Sequence, residues 1–242
     1  MKKRRLDDIL IERDIARHKP EAAKLIVAGK VFVQNQRAIA PSQIFLEDSI
    51  IEIKMPSKYV GRGGEKFSHA VKTFHIDIHE KTCLDIGAAT GGFVDVLLQN
   101  GAKKVYALDT AKGKLDLKLR GDHRVVVMEG TNILYLEKLP ELVDVISIDV
   151  SLTSLRFVFP VLPRFLKEGA LVIALFKPQY EIHDARALHH GIVKDGVARE
   201  KALADFIGWL GANDWQILGQ TTSPIRGAEG NIEFLLHTKQ KF

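Results

Sequence analysis

A lone cysteine, Cys83, is the only thiol in this 242-residue chain, so no intramolecular disulfide exists. Its apolar neighbours make it a small core residue rather than a reactive nucleophile. No apolar run approaches the roughly 18–20 residues of a membrane span. The basic head Met1-Lys-Lys-Arg-Arg is followed by Leu6-Asp-Asp-Ile-Leu-Ile-Glu-Arg-Asp, which is not the apolar stretch of a secretion signal. Internal repeats and low-complexity tracts are missing, and charges are well mixed, which excludes extended disorder. The pair His189-His190 has no acid or cysteine at ligand spacing, so no metal is expected. Together these absences point to a cytoplasmic protein with no membrane partner.

With 46% hydrophobic residues, the chain can build one ordinary domain and a small one. Its formal charge of +5 is unevenly spread. Residues 1–66 carry 14 Lys and Arg against 9 Asp and Glu, and the remainder is balanced. A basic segment beside a neutral body suggests a module that docks on a polyanion.

Residues 1–55 read as a compact α/β module. Arg5–Arg13 and a segment opened by Pro20 and closed by Gly29 have helical spacing. Lys30–Gln34 is a strand, Asn35-Gln36 a turn and Asp48–Lys54 a closing strand. Residues 56–66 read as a linker, and 67–242 as a second domain. That domain alternates strands (Thr82–Ile86, Val105–Asp109, Val125–Met128, Val143–Asp149, Leu171–Phe176) with helices such as Val94–Asn100, Leu152–Phe165 and Arg199–Leu210. Near-continuous apolar strands joined by helices imply a doubly wound parallel sheet. Trp215–Leu218 and Ile232–His237 are separated by too short a turn for a crossover helix, so they pair antiparallel.

The densest chemistry lies in Cys83–Phe93, Cys-Leu-Asp-Ile-Gly-Ala-Ala-Thr-Gly-Gly-Phe. A strand closed by Asp85 runs through a small-residue turn into a helix, letting backbone approach a ligand and aiming helix amides at it. Ala89 stands where a dinucleotide loop needs its second glycine, and the Asp85 carboxylate at the end of the strand would repel a pyrophosphate. The acid suits a cationic ligand instead, such as the ammonium of S-adenosylmethionine. Asp109, closing the second strand, is placed to accept ribose hydroxyls, and Asn132 lies near the adenine amine. The expected cofactor contacts are Asp85, Gly87, Ala88, Gly91, Gly92, Phe93, Asp109 and Asn132.

Four further residues fall at one sheet edge. Asp149 ends the fourth strand and Lys177 the fifth. Glu233 begins the last, reversed strand, and Lys66 precedes the first. A lysine that takes the proton of a ribose 2′-hydroxyl needs its reference pKa of about 10.4 lowered by roughly three units, about 4 kcal/mol. A second lysine, a sulfonium and partial burial act in that direction, and the carboxylates oppose too large a shift.

Two resemblances follow. Arg5-Leu-Asp-x-x-Leu … Ala22-x-x-Leu-Ile-x-x-Gly29-Lys-Val-x-Val resembles the αL-type RNA-binding domain over residues 4–54. His18-Lys19 departs from its usual Ser-Arg, and Gln34-Asn35 from its Asn-Gly. The segments Arg62-Gly-Gly-Glu-Lys66, Asp85–Phe93, Asp149-Val-Ser, Lys177-Pro-Gln and Gly230-Asn-Ile-Glu233 resemble the TlyA, or haemolysin A, family, whose catalytic domain is FtsJ-like. The resemblance implies a small N-terminal RNA-binding domain and a Rossmann-like class I methyltransferase with a seven-stranded sheet and an antiparallel last strand. It implies 2′-O-methylation of a cytidine in ribosomal RNA from S-adenosylmethionine, with catalytic Lys66, Asp149, Lys177 and Glu233. Phosphate contacts are expected from Lys2, Lys3, Arg4, Arg5, Lys19, Lys24 and Lys30 in the module, and from Arg62, Lys194 and Arg226 beyond it. Two departures lie near the cofactor: Thr110-Ala-Lys-Gly for Val-Gly-Tyr-Gly, and Glu129-Gly-Thr-Asn for Glu-Arg-Thr-Asn. The short ends resemble a family form acting on the large subunit, and a monomer is expected. Competing readings are a catalytically silent RNA-binding protein and a membrane-lytic haemolysin.

Overall fold

The computed structural model describes residues 2–53, 58–182 and 188–241. Lys54, expected to close a strand, and Pro56-Ser57, expected to open the linker, lie outside the described residues. The chain divides into two compact units, Met1–Ser57 and Lys58–Phe242.

In the first unit, β1 (Lys3–Arg5) leads into α1 (Leu6–Glu12), and α2 (Lys19–Val27) into β2 (Val31–Val33) and β3 (Gln36–Arg37). β4 (Ile44–Leu46) pairs with β1, and β5 (Ile51–Ile53) with β2, both antiparallel. His18 caps α2 by accepting from the Glu21 amide at 3.2 Å, while Glu21 accepts from the Arg17 amide at 2.8 Å. Leu6, Leu10, Ala22, Ile26, Val31 and Val33 form the core. The hairpin turn falls on Gln34-Asn35, both left-handed at φ 49° and 66°, one residue earlier than the sequence suggested.

The second unit opens with α3 (Gly63–Thr73), followed by β6 (Thr82–Ile86), α4 (Gly92–Gln99), β7 (Lys104–Asp109), α5 (Leu117–Arg120) and β8 (Val125–Glu129). Then come β9 (Val143–Ile148), α6 (Leu155–Val158), β10 (Leu166–Phe176) and α7 (Pro178–Glu181). β11 (Leu188–His189), β12 (Ile192–Val193), α8 (Gly196–Ala212), β13 (Trp215–Thr222) and β14 (Phe234–Gln240) complete it. Seven strands form one sheet in the order β13-β14-β10-β9-β6-β7-β8, with β14 antiparallel to both neighbours. The expected doubly wound architecture with a reversed last strand is therefore present. Successive strands run outward from β6 to β8 and then return to β9, leaving a crevice at the carboxyl ends of β6 and β9.

Residues 58–66 are not a linker. Tyr59 is buried and its hydroxyl donates to Ser68 Oγ at 2.8 Å. The Val60 amide donates to Asp95 Oδ2 at 3.0 Å, tying the segment to α4. A Cβ on Gly92 would stand 2.6 Å from the Gly64 amide nitrogen, so α3 and α4 begin in near backbone contact. Phe67 stacks on Phe93 at 4.6 Å, fixing the two helices side by side over the sheet.

Candidate functional site

β6 is buried along its whole length and delivers the small-residue loop to the crevice. Asp85 itself does not reach that crevice. It is 1% exposed, accepts from Ser147 Oγ at 2.5 Å through Oδ1, and leaves Oδ2 without a partner. Burial pushes its carboxyl up to about 7, with the Asp149 and Asp109 charges adding to the rise and the Ser147 bond opposing it. Asp85, expected to contact the ligand, lies at the end of a fully buried strand with its carboxylate turned inward between β6 and β9.

The loop itself does reach the ligand space. Gly87 has φ +88°, and a Cβ there would lie 2.4 Å from the Asp149 carbonyl oxygen. A cavity of about 280 Å³ opens beside it, with Gly87, Ala89, Asp109, Asn132, Asp149 and Ser151 on its wall. Asp109 accepts from the amides of Ala89 and Ala111, each at 2.7 Å, which locks the loops after β6 and β7 together. Asn132 lines the cavity and also caps a short helical turn, accepting from the Leu134 amide at 3.0 Å. Ala88, Gly92 and Phe93 line a smaller pocket of about 70 Å³ with Asp149, although Phe93 spends its ring chiefly on Phe67. Gly91 caps α4 and lines neither space.

The four residues expected to be catalytic converge. Lys66 is paired with Glu233 at 2.5 Å, and Lys177 with Asp149 at 2.7 Å. All four line one cavity of about 160 Å³. Lys66, Lys177 and Glu233 are buried, while Asp149 is half-buried and lies on the walls of all three spaces. Such pairs bear the cost of desolvation through mutual charge and hydrogen bonding. Lys177 also donates to Ser151 Oγ at 2.9 Å.

Several contributors were not singled out from the sequence. Gln179, Tyr180 and Glu229 line the lysine cavity, and Ser151 lines both it and the larger one. Glu181 is buried and accepts from the Leu155 amide at 2.6 Å and Ser154 Oγ at 2.7 Å, joining the loop after Asp149 to the helix after Lys177. Glu129 accepts the amides of Leu115, Gly113 and Lys114 and a bond from Arg120. These donors, led by the Leu115 amide, hold its carboxyl down to about 2. Lys112 methylene groups lie where a side chain on Gly130 would stand, returning a cation to that position. Only hydrogen-bond partners distant in sequence would have revealed these roles.

The expected RNA contacts divide into two sets. Arg62 donates to the Arg226 carbonyl at 2.8 Å, and Arg226 to the Gly230 carbonyl at 3.0 Å, so the two arginines share a rim next to the segment leading to Glu233. Lys194 is exposed beside β12, whose Val193 amide is held by Asn231 Oδ1 at 2.9 Å. In the first unit, Arg4 pairs with Glu12 and Glu47, Arg5 with Asp7 at 2.7 Å, and Lys19 with Asp8 at 3.1 Å. Lys2, Lys3 and Lys24 are exposed, and Lys30 is half-buried. Among the described residues no cluster of potential metal ligands occurs, and no helix is long and apolar enough to cross a membrane.

A doubly wound sheet with one reversed strand, a glycine loop at its switch point and an adjoining ionic cluster define a Rossmann-like methyltransferase. The chain belongs to the FtsJ-like methyltransferase family, whose model matches residues 59–240. It is 41% identical to Bacillus subtilis YqxC, provisionally named an rRNA methyltransferase, over 98% of this chain and 85% of that one. It is 35% identical to the 16S/23S rRNA (cytidine-2′-O)-methyltransferase TlyA of Mycobacterium tuberculosis, over 96% and 88% of the two chains. A solved structure from Streptococcus thermophilus, provisionally described as a hemolysin, matches with a TM-score of 0.77 and 36% identity, covering 100% of this chain and 90% of that one. Family membership implies S-adenosylmethionine as methyl donor.

Proposed function

We propose that the protein transfers a methyl group from S-adenosylmethionine to the 2′-hydroxyl of a cytidine in ribosomal RNA. One observation carries this reading: Asp149 lies on the wall of the cofactor-sized cavity and is also ion-paired to Lys177 in the adjoining cavity. A donor held in the first space and an acceptor in the second would meet at that carboxylate.

The residues present fit the donor. Apolar walls from Leu108, Ile133, Leu134 and Val158 suit a flat base, Asp109 suits ribose hydroxyls, and Asp149 suits a cationic head. The cradle at Gly87 admits no side chain. When bound, S-adenosylmethionine supplies an electrophilic methyl on a positively charged sulfur.

Lys177 takes the proton of the 2′-hydroxyl as that oxygen is methylated. Asp149 and Ser151 accept two N–H bonds of Lys177, which leaves the lone pair of its neutral amine free to take that proton. Lys66, locked by Glu233, adds positive charge beside the oxygen as it becomes more nucleophilic. The first unit, as an RNA-binding domain of residues 1–55, grips folded RNA by phosphate charge and shape. Arg62 and Arg226, in the second unit, supply phosphate contacts of their own beside the segment leading to Glu233. The protein acts as a monomer on large-subunit RNA.

The test is transfer of labelled methyl to ribosomal RNA and subunits from cells that lack the protein, followed by mapping of 2′-O-methyl marks. A cytidine mark in large-subunit RNA is the expected result. Absence of transfer to free RNA, mature subunits and nascent particles alike would overturn the reading.

A further inference from the structure

Glu233 locks Lys66, and is itself held by a short loop that ends at Asn231. The Gly227 amide donates to the Asn231 carbonyl at 2.9 Å, and the Gly230 amide to the Gly227 carbonyl at 3.0 Å. That closure sets Gly227 against the acid: a Cβ there would stand 2.5 Å from Glu233 Oε1. The side chain of Asn231 has different partners. It is 1% exposed, accepts from the Val193 amide at 2.9 Å through Oδ1, and donates to the Gly191 carbonyl at 2.8 Å through Nδ2. Val193 closes the antiparallel pair of β11 and β12, and the turn of that hairpin is His190-Gly191, both left-handed at φ 50° and 79°.

The open edge of a hairpin presents N–H and C=O groups that a neighbouring strand would pair. Asn231 supplies both partners from one side chain. A carboxamide can do so because it joins a donor to an acceptor as a peptide does, whereas the carboxylate of Asp offers acceptors alone. One residue therefore holds two things: its main chain fixes the loop against Glu233, and its side chain fixes the hairpin. The hairpin exposes His189 and His190, and Lys194 is exposed just past β12. Such a surface suits the phosphates of an RNA strand.

We propose that Asn231 is a positioning residue that fixes the β11–β12 hairpin as an RNA-contact surface in register with Glu233. This deepens the ribose-methylation reading and rests on it, naming the element that aligns the bound strand with the catalytic cavity. A misplacement of about 1 Å can cost roughly 100-fold in rate, so one buried amide is enough to set both contact and chemistry.

The experiment uses the full chain and ribosomal subunits from cells lacking it. Lys194→Ala should raise KM for the subunits alone. Asn231→Ala should raise that KM to the same extent and also lower kcat by about 10- to 100-fold. The double variant should show no further rise in KM, because a loosened hairpin no longer places Lys194. Asn231→Asp keeps the acceptor for Val193 and loses the donor to Gly191, so its kcat should fall between those of the intact protein and Asn231→Ala. Calorimetric titration should give every variant the intact affinity for S-adenosylmethionine. Hydrogen exchange should show the Val193 amide losing protection in Asn231→Ala while β14 keeps its own. Additive effects on KM, an unchanged kcat, or a Val193 amide as protected as before would overturn the inference and leave the ribose reading standing. Loss of cofactor affinity in both Asn231 variants would do the same, since it makes Asn231 a support of the whole fold. Failure of the intact protein to methylate any subunit would overturn both.

Discussion

Asp85 carries a proton that an exposed carboxyl would have released. The unfolded chain loses it near a pKa of about 3.9, whereas the folded chain keeps it to about 7. Between those values the folded form binds more protons, so its stability falls as pH rises. Replacing the carboxyl by its neutral isostere removes that loss. Asp85→Asn should gain stability relative to the native chain between pH 4 and 8, by about 4 kcal/mol, read as urea midpoints at each pH. A gap that does not change with pH would contradict the buried-acid assignment. Lys177 and Asp109 should separate chemistry from binding. Lys177→Ala should slow methyl transfer by roughly 10²- to 10⁴-fold while S-adenosylmethionine affinity is kept. Asp109→Ala should mainly weaken cofactor binding, because the amides of Ala89 and Ala111 lose their shared acceptor. Matching losses of affinity in the two variants would contradict these roles. Cys83 is fully buried, with its thiol pushed up to about 12 by burial, so alkylating reagents should leave the folded chain unmodified.

The lysines owe their places to the elements that carry them. Phe67, next to Lys66, is fully buried against Phe93. Phe67→Ala should cost about 3–5 kcal/mol of stability, measured by urea unfolding, and lower activity through the displaced α3. Glu181→Ala should leave the Leu155 amide and Ser154 hydroxyl unpaired, at a cost of about 1–3 kcal/mol. Since Glu181 ties the loop after Asp149 to the turn after Lys177, that change should lower kcat more than it raises KM for RNA. The strands were readable because runs such as Val143–Ile148 and Thr82–Ile86 are apolar throughout and bounded by turn residues. The β1–β4 pair was not readable, since Lys3-Arg4-Arg5 is all charge with no alternation to mark a buried face. Residues 58–66 were mistaken for a linker because their glycines and charges look mobile. What holds them is a close approach to Gly92 and a bond to Asp95, partners far off in sequence. The convergence of Lys66, Asp149, Lys177 and Glu233 on one cavity was legible because each marks a strand end or a known motif. Asp85 was legible as an acid, but its inward turn toward Ser147 was not.

At the scale of the whole molecule, the first unit, Met1–Ser57, carries 11 Lys and Arg against 8 Asp and Glu, and the ionic cavity belongs to the second unit. Removing residues 1–57 should leave a folded fragment that binds S-adenosylmethionine and has lost most affinity for ribosomal RNA. Filter-binding titrations at several salt concentrations should show a shallower salt slope for the fragment, since fewer phosphates are neutralised. Undiminished affinity and slope would remove the docking role from the first unit. The paired state of Arg4, Arg5 and Lys19 makes Lys2, Lys3 and Lys24 the stronger contributors to that slope.

The position of β14 has a consequence for how the chain reaches its native state. It is last among the seven strands in chain order but lies inside the sheet, between β10 and β13. During synthesis β13 therefore emerges with no neighbour to pair with, and Lys66 waits for Glu233 until the final strand leaves the ribosome. Closing the sheet and assembling the ionic cavity are one late event, joined by contacts distant in sequence and slow to form. A chain cut before Asn231 should therefore be inert as well as incomplete, which methyl-transfer assays on the truncated protein would check.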